Sequence, residues 1–275
     1  VEGVVTINSG DGVDEFIFYD GNFKVTTGDG DKKADFKSGV VIGDDSWSAS
    51  AWSSGSGNDV INLSSDTLLT GPISTGGGDD TINVDGKISY PANIYAGSGN
   101  DVINLTDNAQ DYGWWGHSIY GEDGDDILTF SSKSTNSAGS FHFYGGNGDD
   151  VIDLSSRTIP VNTSGYGGDG DDNLIGNEGY DNLYGESGDD TIYAGNGDNT
   201  VDGGSGNDYL ESGNGADQFF GGNGDDIFKA GGGNDVIYGN YGNSGKGDDG
   251  SIDTAVFSGS STNYKLSRAT DTNFE

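Results

Sequence analysis

The chain has 275 residues, of which 31% are hydrophobic and 52 are glycine, and its formal net charge is −35. This composition excludes a large conventional core and favours a thin repeat fold, and the charge argues against nucleic acid and anionic membranes as partners because both would repel it. Without cysteine there is no disulfide scaffold, and no apolar run approaches the ~18 residues of a membrane span.

Residues 1–53 contain traces of a nine-residue pattern, G-G-x-G-x-D-x-U-x, in which U is apolar. Segment 9–17 (SGDGVDEFI) matches one unit, and segment 27–35 (TGDGDKKAD) is a lysine-bearing relative. The spacing of these two copies is irregular. We therefore expect an N-terminal cap, or early coils whose sites have degraded.

Residues 54–166 repeat the same turn at wide intervals. Its copies begin at Ser54, Thr75, Ala96, Gly121 and Gly145. The successive spacings, including the one to Gly167, are 21, 21, 25, 24 and 22 residues. We expect coils with this turn on one edge and a longer loop on the other. Strand-like runs at 92–95, 118–120 and 141–144 would supply a second sheet.

Residues 167–238 are eight uninterrupted copies of the pattern. Glycines at the first, second and fourth positions permit a turn whose carbonyls converge, and the sixth position adds a carboxylate. The last three residues form a short strand with one inward apolar side chain. The predicted inward residues are Leu174, Leu183, Ile192, Val201, Leu210, Phe219, Phe228 and Ile237.

One such strand buries too little alone, so two units must form a coil and the coils must stack. The stacking places Asp172 over Asp190, and Asp190 over Asp208, on one edge. On the other edge it aligns Asp181, Asn199, Asp217 and Asp235. The predicted fold is all-β, a cation-stabilised parallel β-roll, or β-solenoid, with compact coils preceded by wider ones. Residues 239–275, where the pattern ends, are expected to form a C-terminal cap.

The turn chemistry favours calcium. Carboxylates and carbonyls are hard oxygen ligands, and a flexible site with six to eight of them suits calcium better than zinc or magnesium. Residues 167–238 carry 16 acidic residues and one basic residue, a net charge of −15. Carboxylates stacked about 5 Å apart would repel strongly. We therefore predict a chain that is disordered without calcium and forms a β-roll with it.

Two other interpretations of the repeats are weaker. A flexible acidic linker fits the low hydrophobicity, but a linker has no reason to keep the register of Gly, Asp and apolar residue through eight units. An EF-hand fits the spacing of Asp169, Asp171 and Asn173, but the glycine at loop position six and the glutamate at position twelve are missing.

On these motifs the chain resembles the RTX (repeats-in-toxin) family of hemolysin-type calcium-binding nonapeptide proteins. In that family each calcium lies between stacked turns and takes loop carbonyls and sixth-position carboxylates. The resemblance implies Asp172, Asp181, Asp190, Asp208, Asp217, Asp226 and Asp235 as metal ligands in the compact repeats. Asn199 departs from the pattern. In the wide coils the sixth-position carboxylates are Asp59, Asp80, Asp101, Asp126 and Asp150.

We expect no catalytic residue in this chain. The familiar hydrolase, metalloprotease and phosphate-loop motifs are missing, and the two histidines, His117 and His142, precede calcium turns and look like sheet or loop residues. Four tryptophans lie outside the consensus turns, at positions 47, 52, 114 and 115. They either fill wider coils or form an exposed platform for sugars.

The sequence leaves two functions open. The first is a structural or binding module of a secreted adhesin or surface-layer protein, with cell-surface polysaccharide or self-association as further partners. The second is the secretion and folding module of an extracellular hydrolase or toxin whose catalytic domain lies upstream. RTX blocks accompany both classes, and type I secretion is the export route that the resemblance implies.

Overall fold

In a computed structural model the described residues are 5–37, 39–42, 51–89, 92–106, 116–131, 141–156, 162–239 and 251–256. Within these ranges all regular structure is β-strand, without a helix. The strands form two parallel sheets that face each other around a narrow core. The fold is a parallel β-solenoid, as the repeats predict. No helix in the described ranges is long and apolar enough to cross a membrane.

The first sheet contains 15 of the described strands. They are β1 (Val5–Asn8), β3 (Gly21–Thr26), β5 (Val40–Ile42), β6 (Trp52–Ser53), β8 (Leu68–Leu69), β9 (Ile73–Gly77), β11 (Lys87–Ile88), β12 (Ile94–Ser98), β14 (His117–Asp123), β16 (Phe141–Asn147), β18 (Thr163–Asp169), β20 (Asp181–Ser187), β22 (Thr200–Ser205), β24 (Gln218–Asn223) and β26 (Val236–Tyr238).

The second sheet contains 12 described strands. They are β2 (Asp14–Phe18), β4 (Lys32–Phe36), β7 (Val60–Leu63), β10 (Thr81–Val84), β13 (Val102–Leu105), β15 (Ile127–Phe130), β17 (Val151–Asp153), β19 (Asn173–Ile175), β21 (Thr191–Tyr193), β23 (Tyr209–Glu211), β25 (Ile227–Lys229) and β27 (Thr254–Val256).

The strand pairing follows the repeat length. In the compact repeats Leu174 pairs with Ile192, and Ile192 with Leu210, so each coil takes 18 residues. In the wide coils Ile82 pairs with Ile103 at 21 residues. The strand-like runs predicted at 118–120 and 141–144 lie in β14 and β16 of the first sheet, and the run at 92–95 enters β12 at Ile94. The glycine turns of the wide coils therefore line one edge of the solenoid, where the chain passes from the first sheet to the second. In the compact repeats glycine turns line the opposite edge as well.

In the compact repeats the core is a single file of inward apolar side chains from each sheet, whereas in the wide coils β7, β10 and β13 each bury two. Seven of the eight predicted inward residues are buried to at least 99%, and Ile237, in the last nonapeptide, is partly buried. In the wider coils Phe130, Phe141 and Phe143 pack together with ring centroids 4.8–6.4 Å apart. Large aromatic side chains thus fill the core of these wider coils.

The early wide coils contain a row of strands that the sequence did not predict. β5, β8 and β11 pair with one another and branch from β3, while β6, β9 and β12 continue the main row. Their strands are only two or three residues long, and Val40, Ile42, Leu69 and Ile88 are fully buried. This third row closes the broad side of the coils between residues 40 and 88.

Candidate metal centre

A continuous ladder of aspartates runs along the edge where the chain passes from the first sheet to the second, which we call the first edge. In each turn the Oδ1 atom of the sixth-position aspartate accepts a hydrogen bond from the backbone N–H of the same position one coil earlier. The eight N···O distances between aspartates are 2.6–2.9 Å. The ladder members are Asp59, Asp80, Asp101, Asp126, Asp150, Asp172, Asp190, Asp208 and Asp226.

Eight ladder aspartates, from Asp59 to Asp208, have a second carboxylate oxygen that is buried without a hydrogen-bond partner. These residues are at most 2% exposed. A buried carboxylate oxygen without a partner is costly, and eight in one row are not a packing accident. At Asp59 and Asp80 the hydroxyls of Ser54 and Thr75 lie nearby, but they donate to backbone carbonyls. The ladder therefore leaves eight oxygen atoms whose natural partner is a cation.

Burial raises the pKa of these carboxyls. The pKa of Asp80, Asp101 and Asp126 rises to about 7, and that of Asp150 to about 8, from an ordinary value of 3.8. Loss of hydration is the largest cause, and backbone hydrogen bonds to Oδ1 partly oppose it. Without a cation the ladder would resist full ionisation at neutral pH.

The free oxygens lie in a cradle lined by backbone. A Cβ atom built on Gly167 would fall 2.1 Å from Asp172 Oδ2 and 2.8 Å from the carbonyl oxygen of Gly185, one coil later. The same pair of close oxygens surrounds Gly121, Gly145, Gly185, Gly203 and Gly221. Carboxylate and carbonyl oxygens thus converge beside the first-position glycine, and a side chain there would displace whatever they bind.

This donor set fits calcium. In the described residues no three carboxylate or imidazole side chains converge on one point. A cation on the first edge must therefore take most of its ligands from carbonyls, as calcium readily does and zinc does not. When bound, calcium would supply positive charge that neutralises the ladder and ties consecutive turns together.

The structure extends the ladder beyond the predicted residues. The backbone N–H of Asp226 donates to Oδ1 of Asp253 at 3.2 Å, and Asp253 Oδ2 lies 2.1 Å from a Cβ built on Gly239. Asp253 precedes β27, so it occupies a sixth position although the pattern before it is broken. The apolar Thr-Ala-Val strand directly after Asp253 is the signal that could have identified it.

A second ladder, formed by the fifth-position residues, also escaped prediction. Here an exposed Asp or Asn side chain accepts from the backbone N–H of the same position one coil later, the opposite direction to the aspartate ladder. Examples are Asp149, which accepts from Asp171, and Asp171, which accepts from Asp189, at 2.9 and 2.8 Å. The preference for Asp or Asn at the fifth position has this physical cause.

The opposite edge of the compact repeats, which we call the second edge, holds Asp181, Asn199, Asp217 and Asp235. They align as predicted, with backbone N–H to side-chain Oδ1 distances of 2.8–3.1 Å. Here, however, side chains already provide donors. Asp181 accepts from the hydroxyl of Thr163 and the amide of Asn177, and Asp217 Oδ2 accepts from the Ser212 hydroxyl at 2.6 Å.

Asn199 shows how the second edge differs. Its side-chain amide donates to the carbonyl oxygens of Gly195 and Gly197, at 3.4 and 3.1 Å, while its Oδ1 keeps the ladder bond from Asp181. An N–H donor thus meets carbonyls that would face a cation in a consensus turn. Asp181, Asp217 and Asp235 stay predictions as metal ligands, and the eight free oxygens on the first edge are the stronger candidates.

The two histidines lie in the first sheet, as expected. His117 begins β14, where its Nδ1 lies 2.8 Å from the carbonyl oxygen of Ala92, and His142 lies in β16, where burial lowers its pKa. Trp52 is fully buried and its ring packs edge-on against Phe16 and Phe36. It fills a coil and is not part of an exposed sugar platform. Trp47, Trp114 and Trp115 lie outside the described residues.

Comparison with protein families agrees with the geometry. The family model for the RTX calcium-binding nonapeptide repeat (four copies) matches residues 93–107, 118–132, 142–156, 166–201, 184–219, 193–228 and 220–243. The chain is an RTX nonapeptide-repeat protein. The matched part of this RTX protein includes the three wide turns that end at Asp101, Asp126 and Asp150, as well as the compact repeats. Comparison with curated proteins and with solved structures gave no match.

Proposed function

We propose that this RTX protein is a calcium-binding structural module whose solenoid folds when calcium fills the first edge. The observation that carries the proposal is the row of eight buried carboxylate oxygens without partners, from Asp59 to Asp208. Calcium is the cation whose preferred ligands, carboxylates and carbonyls, meet beside the first-position glycines of this edge. We expect the chain itself to have no catalytic activity.

The module belongs to a protein that a bacterium exports. RTX-repeat proteins are generally secreted by bacteria, and millimolar external calcium would fold a chain that stays unfolded at low cytosolic calcium. The long coils favour a structural or binding part of an adhesin or surface-layer protein. A secretion and folding module for an upstream hydrolase or toxin is the second candidate, supported by the same repeats.

A calcium titration tests the proposal. Calorimetry and far-UV circular dichroism on residues 1–275 at neutral pH should show several calcium ions binding as most of the β-structure appears, and excess EGTA should abolish the binding and most of the β signal. A chain that keeps its full β signal in EGTA and binds no calcium would contradict it.

A matched pair of variants tests whether the ions bind at the first edge. Asp150→Asn keeps the Oδ1 acceptor but removes the charge of the buried oxygen, so we expect at least one calcium fewer or about tenfold weaker binding. Asp149→Asn makes the same change one residue earlier, at an exposed side chain on the fifth-position ladder. It should bind calcium as the parent does. If the two variants bound the same number of calcium ions with the same affinity, the ions would not lie at this edge.

A further inference from the structure

The N-terminal end of the aspartate ladder contains a lysine. Lys32 occupies the sixth position of segment 27–35, and its backbone N–H donates to Asp59 Oδ1 at 2.7 Å, as the ladder aspartates do. Its side chain is fully buried. A buried lysine needs compensation for its lost hydration, so the atoms around the ammonium indicate what it does there.

The Lys32 ammonium lies between the first two turns and faces only oxygen atoms among its described partners. It donates to the carbonyl oxygens of Gly12 and Asp29, the latter at 2.8 Å, and lies 3.4 Å from Asp14 Oδ2. Asp14 is the sixth-position residue of the preceding turn, in segment 9–17. Two carbonyls and a sixth-position carboxylate therefore converge on one positive charge, the arrangement that a calcium ion would need.

The ladder adjusts around this substitution. A lysine has no acceptor for the N–H of Asp14, and that N–H donates instead to the carbonyl of Asp31 at 3.2 Å. Asp14 Oδ2 also accepts from the Ser9 hydroxyl at 2.8 Å. The free oxygens begin one coil later, at Asp59.

The surroundings of Lys32 suit a metal-free end. Residues 5–37 carry seven acidic and four basic residues, a net charge of −3 against −15 in the compact repeats. Phe16, Phe18, Phe23 and Phe36 pack there with ring centroids 4.5–6.1 Å apart. The first coils thus have less repulsion to neutralise and more apolar area to bury.

We infer that Lys32 is a built-in cation that takes the place of calcium between the first two turns, so that this end of the solenoid holds its structure without metal. The inference rests on the proposed function for the turns that follow. The lysine end then provides a formed edge against which the turn of Asp59 stacks when calcium arrives. Ordering starts at the N-terminal end and proceeds coil by coil.

Hydrogen exchange on the full chain tests the inference. In EGTA we expect amides of residues 5–37 in the parent protein to exchange at least about tenfold more slowly than those of the compact repeats. Lys32→Asp restores the consensus turn. It should lose this protection in EGTA, regain it in calcium and bind one more calcium ion per chain. Lys32→Met should lose protection in EGTA and not regain it in calcium.

Lys33→Met is the matched control, because Lys33 is half exposed and pairs with Glu15 at 2.8 Å on the surface. It should behave like the parent. Uniformly fast exchange of the parent in EGTA would overturn the inference, and so would Lys32→Asp without an additional ion. A parent that binds no calcium but keeps residues 5–37 protected would overturn the proposed function and leave Lys32 supported.

Discussion

At the scale of single residues, each first-edge aspartate divides its carboxylate between two roles. Asp190 Oδ1 accepts the N–H of Asp172 at 2.8 Å, whereas Oδ2 remains for a cation. An asparagine can fill only the first role, because its amide nitrogen is a donor. At Asn199 that nitrogen turns to the carbonyls of Gly195 and Gly197. The second side-chain atom, an oxygen in aspartate and a nitrogen in asparagine, thus decides whether a turn can bind an ion or hydrogen-bonds to its own carbonyls.

Asn199→Asp should therefore convert a turn that is held by its own hydrogen bonds into one that requires calcium. Until calcium fills the new site, the variant lacks the bonds to Gly195 and Gly197 and places a carboxylate beside that of Asp217, which should cost the folded state about 1–3 kcal/mol. We therefore expect the variant to need more calcium than the parent to reach half of its β signal, and to bind one more ion at saturation. Circular dichroism during a calcium titration, with calorimetry, measures both effects.

Asn100→Asp is the control for this change. Asn100 is an exposed fifth-position residue whose Oδ1 accepts from the backbone N–H of Asp125, and an aspartate keeps that acceptor while adding the same charge. It should change stability by less than about 0.5 kcal/mol. If Asn199→Asp needed no more calcium to fold than Asn100→Asp, the amide of Asn199 would have no stabilising role.

The sequence could predict the stacking of Asp172, Asp190 and Asp208, because a period of 18 residues leaves them no other register. It could not predict which carboxylates stay free. That depends on side chains outside the sixth position, such as Ser212 and Thr163, that reach across the turn or from the neighbouring coil. The ammonium of Lys32 escaped prediction for the same reason. In the sequence, Lys32 looks like part of a degraded repeat, and only the three oxygen atoms around its ammonium show that it has a structural role.

At the scale of elements, the six-residue turn is the unit that function depends on. Its second and fourth glycines have positive φ, for example 129° at Gly168 and 137° at Gly170, which side chains disfavour. The first glycine is needed for a different reason, because the cradle of oxygens occupies the space of its missing Cβ.

Gly167→Ala should block one cradle. The new methyl group would meet Asp172 Oδ2 at 2.1 Å, so the turn must shift, and we expect a loss of about 1–3 kcal/mol together with weaker calcium binding. Gly10→Ala provides the comparison, because a Cβ there meets no atom within 4 Å. Thermal unfolding in calcium would separate the two variants. Equal melting temperatures would mean that the first-position glycine does not mark the ion site.

The wide coils were the elements that sequence described least well. Their glycine turns and first-sheet strands were predicted from spacing, but β5, β8 and β11 were not. These strands follow no glycine pattern and are two or three residues long, too short for periodicity to identify. They form because the broad side of the coil must bury Val40, Leu69 and Ile88, and neighbouring coils present matching backbone.

At the scale of the whole molecule, a rise in pH should lower the stability of the metal-free chain and strengthen its binding of calcium. Without metal, the raised pKa values of about 7 for Asp101 and Asp172 and about 8 for Asp190 mean that the folded chain holds protons that the unfolded chain releases near 3.8. Stability without calcium should therefore be greatest at acid pH and fall as pH rises from about 4 to about 8. Calcium binds the ionised carboxylates, so its affinity should rise over the same interval.

Far-UV circular dichroism from about pH 5 to about pH 8.5, in EGTA and again in calcium, checks this prediction. The β signal that remains in EGTA should fall as pH rises, and calcium should restore it at the upper end of this range. A metal-free protein whose β signal grows between about pH 5 and about pH 8 would show that the ladder carboxyls are not the groups that govern its folding.

The stacking of coils also determines how the solenoid would respond to force. Each coil binds only its two neighbours, so a chain pulled at its ends would release coils one at a time from a terminus. A compact coil would free 18 residues and a wide one up to 25, or about 60 and about 85 Å of extended chain. The change from wide to compact coils would therefore be recorded as a change in the length of chain released at each step. The end held by Lys32 would keep its resistance to extension when calcium is withdrawn.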